Sequence, residues 1–299
     1  MKYPLGQITE RAECIQTDSI RQLSYDMSLL QKLSLPRSNG MNESASTGTR
    51  HTNPPLSLEQ RFTDCVNGLP DSECLDLPDF VQKQGSKKAD YLLNKRRSIL
   101  EIKTIASDPS QKLEALLQKL IYSRPDCPRF FGKEIPLEHI LNKLPDGRKI
   151  QNEITYKMTR AIQDSIEKAD DQIASTKQDL GLPNAYGFMV ILNDRVDAFS
   201  PEVIRSATLK MLNKRTRFGK LVCTNLDFVL VISETHHYTL HSGMELLPMF
   251  RIIANPVTVT KEADEFISQL EVAFAKSEGQ PLLEPKDSSY IPNTKTRKR

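Results

Sequence analysis

Two runs leave this chain little freedom in how it folds. Residues 187–192 (GFMVIL) and 228–232 (FVLVI) carry no charged or polar side chain, and the stretch between them has helix signals. A strand with one wet face alternates with a period of two, so an unbroken apolar strand needs cover on both faces. Between the two runs, Ser200 and Pro201 supply an N-cap and a first helical position for a helix to about Asn213. A sheet with helices on both faces, an α/β fold, is the expectation.

The same alternation continues on either side. Ser57 with Gln60 three residues on has the form of a capping box, and Leu58, Phe62, Cys65, Val66 and Leu69 trace one helical face before Gly68 and Pro70 end it. Residues 90–93 (DYLL) and 98–105 (SILEIKTI) are β-prone runs around the polar tetrad 94–97 (NKRR), the arrangement of a hairpin. Asp108 and Pro109 open a helix with the stripe Leu113, Leu116, Leu117, Leu120 and Ile121, and residues 123–149 read as irregular. A long amphipathic helix is predicted over about 150–179, with Ile154, Met158, Ile162, Ile166, Ala169 and Ile173 inward. A third β-prone run near 249–253 and a helix near 261–276 complete a body expected over 56–280.

Composition shifts at both ends. Residues 36–55 are almost free of large apolar side chains and dense in Ser, Thr, Asn, Gly and Pro, the make-up of a disordered linker. Upstream, Leu23, Met27, Leu30 and Leu33 fall at helical spacing, so residues 20–33 suggest a helix that docks on the body or on a protein partner. Residues 281–299 are expected to be a disordered basic tail. From 286 on, five basic side chains stand against Asp287, a balance of +4 within a formal total of +3. The remainder is therefore about −1, and no global basic field announces a nucleic-acid partner.

Five scattered cysteines without a Cys-x-x-Cys pair support neither a disulfide framework nor a zinc ribbon, and they are expected to be reduced thiols. No apolar run approaches the roughly 18 residues of a membrane span, so a cytoplasmic protein with no membrane partner is expected. Neither common Gly-rich phosphate loop nor Gly-x-Ser-x-Gly occurs, which argues against an NTPase, a dinucleotide-binding dehydrogenase and an α/β-hydrolase. His236, His237 and His241 cluster in sequence, but on an extended segment His237 and His241 lie roughly 13 Å apart, too far to share a metal. Surface or supporting histidines are expected there.

The chemistry concentrates in the strand at 98–105. A two-residue period sets Ile99, Glu101, Lys103 and Ile105 on one face and Leu100, Ile102 and Thr104 on the other. With the turn at 94–97, residues whose numbers sum to 191 lie opposite each other, and Asp90 faces Glu101. Opposed carboxylates at Cβ separations of about 4.5–5.5 Å repel and call for a cation. Hard oxygen donors from Asp90 and Glu101, with a backbone carbonyl such as that of Ile102, suit Mg²⁺ or Mn²⁺. Lys103 can orient or deprotonate a water and offset charge building on a phosphoryl group. Lys95, Arg96 and Arg97 at the hairpin tip read as a solvated turn, and their position beside the carboxylate pair also suits a phosphate-backbone contact.

Asp90, the ten-residue spacer and Glu101-Ile-Lys103, on a hairpin that follows a helix carrying Glu59, resemble the PD-(D/E)XK nuclease superfamily. The resemblance covers about 57–235, and its sharp part is 87–105 (KKADYLLNKRRSILEIKTI). It implies a restriction-endonuclease-like mixed sheet flanked by helices, with the core order helix, three strands, helix, strand. It further implies Asp90 and Glu101 as metal ligands, Lys103 as the catalytic lysine, and Glu59 as an assisting acid. On a later helix, Gln172 and Lys177 match the family's glutamine and neighbouring base, which would contact nucleic acid. One departure is Ala89, where the family commonly has proline. The expected activity is Mg²⁺-dependent hydrolysis of phosphodiester bonds, with DNA the favoured substrate. A catalytically inactive nuclease-fold protein, binding nucleic acid or another protein, is the rival expectation.

Overall fold

The computed structural model describes residues 56–77, 87–127, 137–239, 245–256, 259–280, 282, 295 and 296. The expected helix at 20–33 and linker at 36–55 lie outside the described residues. Within the tail expected to be disordered, Lys295–Thr296 pairs antiparallel with His236–His237, a correction to that reading.

In chain order the elements are α1 (Leu58–Asn67), β1 (Glu73–Cys74), β2 (Tyr91–Leu93), β3 (Ser98–Thr104), α2 (Ser110–Leu117), α3 (Leu137–Leu141), α4 (Gly147–Asp179), β4 (Tyr186–Asn193), α5 (Pro201–Leu212), β5 (Phe228–Ser233), β6 (His236–Thr239), β7 (Glu245–Leu246), β8 (Met249–Ile253), α6 (Lys261–Ser277) and β9 (Lys295–Thr296). A single π turn, Gln118–Tyr122, extends α2. Among the described residues, Ser57, Ser200 and Thr260 each cap a helix start by accepting from a backbone N–H three residues on.

The described residues divide into two compact units, where one body over 56–280 was expected. Residues 110–157 form one. It contains α2, α3 and the first turns of α4, buries Leu113, Leu117, Ile121, Ile140 and Leu141, and carries an Arg124 fork onto Asp126 and Asp146. The stretch 123–149, read as irregular, holds α3 and the start of α4, because five residues of α3 are too few to declare a period.

The other unit, residues 56–109 with those from 158 on, holds the main sheet. Among the described residues it has six strands in the order β1-β2-β3-β4-β5-β8, with β3, β4 and β5 parallel and the outer pairings antiparallel. The unbroken apolar strands β4 and β5 are the inner ones, buried along nearly their whole length as their composition required. On one face Leu100, Phe188, Val190, Phe228 and Leu230 pack with Phe62 of α1 and Ile267, Leu270 and Phe274 of α6. The second half of α4 lies on the other face. There a Cβ on Gly187 would sit 1.9 Å from the Asn225 carbonyl oxygen and 3.0 Å from the Ile173 side chain, so only glycine fits. His236 is buried rather than at the surface, with Nδ1 2.8 Å from Thr235 Oγ1.

Candidate functional site

The β2–β3 hairpin has the register its turn implied: Tyr91 pairs with Leu100, Leu92 with Ile99 and Leu93 with Ser98. Its tip is made by Asn94, Lys95 and Arg96, all with positive φ (52°, 54° and 64°), closed by the Arg97 N–H on the Asn94 carbonyl. Continued by one position the register sets Asp90 opposite Glu101. β2 has ended there, so Asp90 does not continue the ladder on both of its bonds. Its N–H still reaches the Leu100 carbonyl at 3.1 Å, but its carboxylate Oδ2 accepts the Ile102 N–H at 2.6 Å. Strand alternation turns the Ile102 carbonyl to the same edge as its N–H.

Glu101 is 1% exposed in the middle of β3. The ammonium of Lys103, on the same face, donates to Glu101 Oε1 and, at 2.9 Å, to Gln172 Oε1 on α4. Gln172 then donates from Nε2 to the Lys88 carbonyl at 2.8 Å. One turn on, Thr176 Oγ1 accepts the Ala89 N–H at 2.9 Å. Two side chains at helical spacing thus hold the two residues that lead into Asp90. The Ala89 bond gives the departure from proline a local reason, since proline has no N–H to donate. Thr176 escaped the reading of the sequence. Its signal was the i, i+4 spacing from Gln172, which puts both on one helix face.

The electrostatics follow from two acids sharing a poorly solvated place with one base. Burial first, and then the Asp90 carboxylate, push the Glu101 carboxyl up to about 7, with Lys103 and Gln172 pulling the other way. Asp90 is also raised, chiefly by burial, against its bond from the Ile102 N–H and the nearby Lys103 charge. Glu101 Oε2 is buried and accepts no hydrogen bond among the described residues.

These observations bear on whether the residues fit a hard cation. Among the described residues no group of three or more His, Cys, Asp or Glu side chains is arranged to hold a metal. The donor set is two carboxylates, extended by the Ile102 carbonyl. An orphaned, buried carboxylate oxygen beside a second raised acid is short of positive charge, and Mg²⁺ takes one or two carboxylates and completes its shell with water and phosphate oxygens. The residues fit.

Other expected site residues fall elsewhere. Glu59 Oε2 accepts from Thr104 Oγ1 at 2.7 Å, on the opposite strand face from Glu101, yet lies near enough to contribute to the rise at Asp90. Lys177 donates from Nζ to the Asn225 carbonyl at 3.3 Å, and burial lowers its ammonium pKa against the pull of Asp227 and Asp170. At the hairpin tip, four residues and about 13 Å of strand from Glu101, Arg96 forks onto Glu73 at 2.7–3.1 Å and Arg97 pairs with Glu262. Lys95 is exposed. The structure therefore brings together Asp90, Glu101, Lys103 and Gln172, with Glu59 at the margin. It does not bring Lys177, Lys95, Arg96 or Arg97 to the group.

Fold and site define a mixed α/β protein whose six-stranded sheet, flanked by helices, carries a buried Glu101 beside a half-buried Asp90, with a paired lysine, at a gap in its ladder. No helix among the described residues is long and apolar enough to cross a membrane. No protein-family model, curated protein or solved structure matches the chain.

Proposed function

We propose that the chain is a nuclease that uses Mg²⁺ or Mn²⁺ to hydrolyse phosphodiester bonds, with DNA the favoured substrate. The observation that carries the reading is the single group formed by Asp90, Glu101, Lys103 and Gln172, with a carboxylate oxygen buried and unpartnered inside it. The order α1, β1, β2, β3, α4, β4, with α2 and α3 inserted before α4, supports it too, because it contains the helix, three strands, helix and strand that the resemblance to PD-(D/E)XK nucleases implies.

Asp90, Glu101 and the Ile102 carbonyl would hold the cation, which supplies charge neutralisation at a phosphoryl oxygen. The chain's own part lies in Lys103. An ammonium has three N–H donors, and two are engaged by Glu101 and Gln172. The third points away from both acceptors, and the side chain is 27% exposed, so it is free to donate to a phosphate oxygen or to orient the attacking water. Gln172 fixes where that N–H aims, because the same amide is anchored to Lys88. Asp90 is fixed by its bond to the Ile102 N–H.

The test uses the full chain. Its melting temperature should rise in millimolar Mg²⁺ or Mn²⁺ over EDTA, and it should degrade part of a panel of single- and double-stranded DNA and RNA. Asp90→Ala and Glu101→Ala should lose both responses. A chain whose melting ignores the metal and which leaves every substrate intact is the inactive binding module instead.

A further inference from the structure

The segment between α5 and β5 is a second basic feature, unrelated to the carboxylates. From 213 to 227 the chain has four basic residues (Lys214, Arg215, Arg217, Lys220) and one acid, Asp227, so this segment alone carries +3, the whole formal charge of the chain, and the rest sums to zero. Residues 213–220 are all exposed. They form a closed loop rather than a loose one. The Thr216 N–H donates to the Lys220 carbonyl at 2.7 Å, the Val222 N–H to Lys214 at 2.9 Å and the Gly219 N–H to Thr216 at 2.9 Å, with Gly219 at φ +81°. Arg215 braces the turn from inside through the Gly219 carbonyl at 2.8 Å.

At the tip stands Phe218, 76% exposed, the most exposed of the large apolar side chains among the described residues. The Arg217 guanidinium lies 4.6 Å from its ring centroid. None of Lys214, Arg215, Arg217 and Lys220 forms an ion pair among the described residues, whereas the arginines of the β2–β3 tip both have acidic partners. An ordered loop whose cations lack acidic partners, and whose aromatic ring is exposed apart from one guanidinium over it, leaves both charge and apolar surface open to a ligand.

We propose that this loop binds a nucleic-acid strand with unpaired bases, Lys214, Arg217 and Lys220 contacting successive phosphates while a base stacks on Phe218. Phosphate contacts give affinity without sequence preference. A ring at a loop tip needs a free π-face, which a single strand offers and a closed duplex does not. A lone ring flanked by three exposed cations lacks the apolar area that would insert into a lipid surface, and an acidic polypeptide would satisfy the charges but leave the ring in water. The inference does not require hydrolysis and would stand if the carboxylate group proved inert.

Binding is measured with the full chain in EDTA, so that cleavage plays no part. The probe is a fluorescein-labelled 20-nucleotide oligothymidylate followed by anisotropy across a salt series, beside a duplex of equal length, polyglutamate and phosphatidylserine vesicles. Wild type should bind the single strand more tightly than the other three. Phe218→Ala should weaken single-strand binding about five- to hundredfold, the range for one stacked base, and Phe218→Tyr should restore it. The triple change of Lys214, Arg217 and Lys220 to Gln should lower the salt slope by about 2, at about 0.7 per phosphate contact. All variants should melt as wild type, because these side chains are exposed. Equal affinity for polyglutamate or vesicles, indifference to Phe218→Ala, or no binding at low salt would each overturn the proposal.

Discussion

Replacing Glu101 by glutamine should make the metal-free protein more stable at neutral and alkaline pH, although it removes one partner of an ion pair. The Glu101 carboxyl is raised from an ordinary 4.5 to about 7. An acid raised in this way binds its proton more tightly in the folded chain than in the unfolded one. From about pH 4.5 to about pH 7 the folded protein therefore holds a proton that the unfolded chain has released, and stability falls as pH rises through that window. At about 1.4 kcal/mol per pH unit the loss approaches about 3 kcal/mol and persists above it. Because Glu101 is 1% exposed, solvent does little to screen the effect. Glutamine has the same shape, still offers Lys103 an oxygen, and cannot ionise. Thermal melts of both proteins in EDTA at pH 5, 6, 7 and 8 provide the assay. The curves should start close together and diverge, with the variant ahead at pH 8 by about 6–12 °C, at 2–4 °C per kcal/mol for a chain of this size. Parallel curves, or a variant less stable than wild type at pH 8, would refute the account of Glu101 as a buried acid short of positive charge.

Lys103→Ala should abolish metal-dependent cleavage, and by leaving Glu101 without its cation should extend the pH-dependent loss of stability to higher pH, from the same onset near pH 4.5, seen in the same melts. Gln172→Ala should lower kcat about 10- to 100-fold with KM nearly unchanged, since it loosens the aim of Lys103, whereas Lys177→Ala should leave the rate alone because that ammonium sits on Asn225. Gly187→Ala should cost about 3 kcal/mol or more in urea denaturation, because the new methyl carbon meets the Asn225 carbonyl, which belongs to backbone and cannot swing aside. Lys95→Gly should stabilise by about 1 kcal/mol by relieving a left-handed, exposed, non-glycine residue at the hairpin tip.

Local signals carried most of what the sequence revealed. The hairpin register followed from four polar residues between two β-prone runs, and the period of two then put Glu101 and Lys103 on one face. The inner strands announced themselves by having no polar face at all. What stayed hidden has no local signature. β1 is two residues long, and nothing in Glu73-Cys74 declares a strand until β2 is there to pair with it. The partners of Arg96 and Arg97 come from before β2 and from α6, so an arginine cluster that reads as a phosphate clamp is neutralised by the tertiary fold. Conversely the 214–220 loop has no local motif that sets it apart, and only the fold shows that no acid among the described residues pairs with its four cations.

The reason a charged pair can persist in an apolar strand lies in the lengths of two neighbours. β2 has three residues and β3 has seven, so the ladder on that side of β3 covers only Ser98–Leu100. Beyond it the Ile102 N–H and carbonyl would face an empty edge, and an unpaired backbone group shielded from water is costly. Asp90 meets that need by turning a carboxylate oxygen onto the Ile102 N–H where a longer β2 would have placed a carbonyl. The exchange puts a negative charge beside Glu101 and leaves the Ile102 carbonyl directed into the same gap. The two acids therefore lie near each other because the strand stops short, and α4 holds the residues that lead into Asp90 through Gln172 and Thr176. Extending β2 by two paired residues would close the edge with backbone hydrogen bonds and remove the site without altering any side chain on β3.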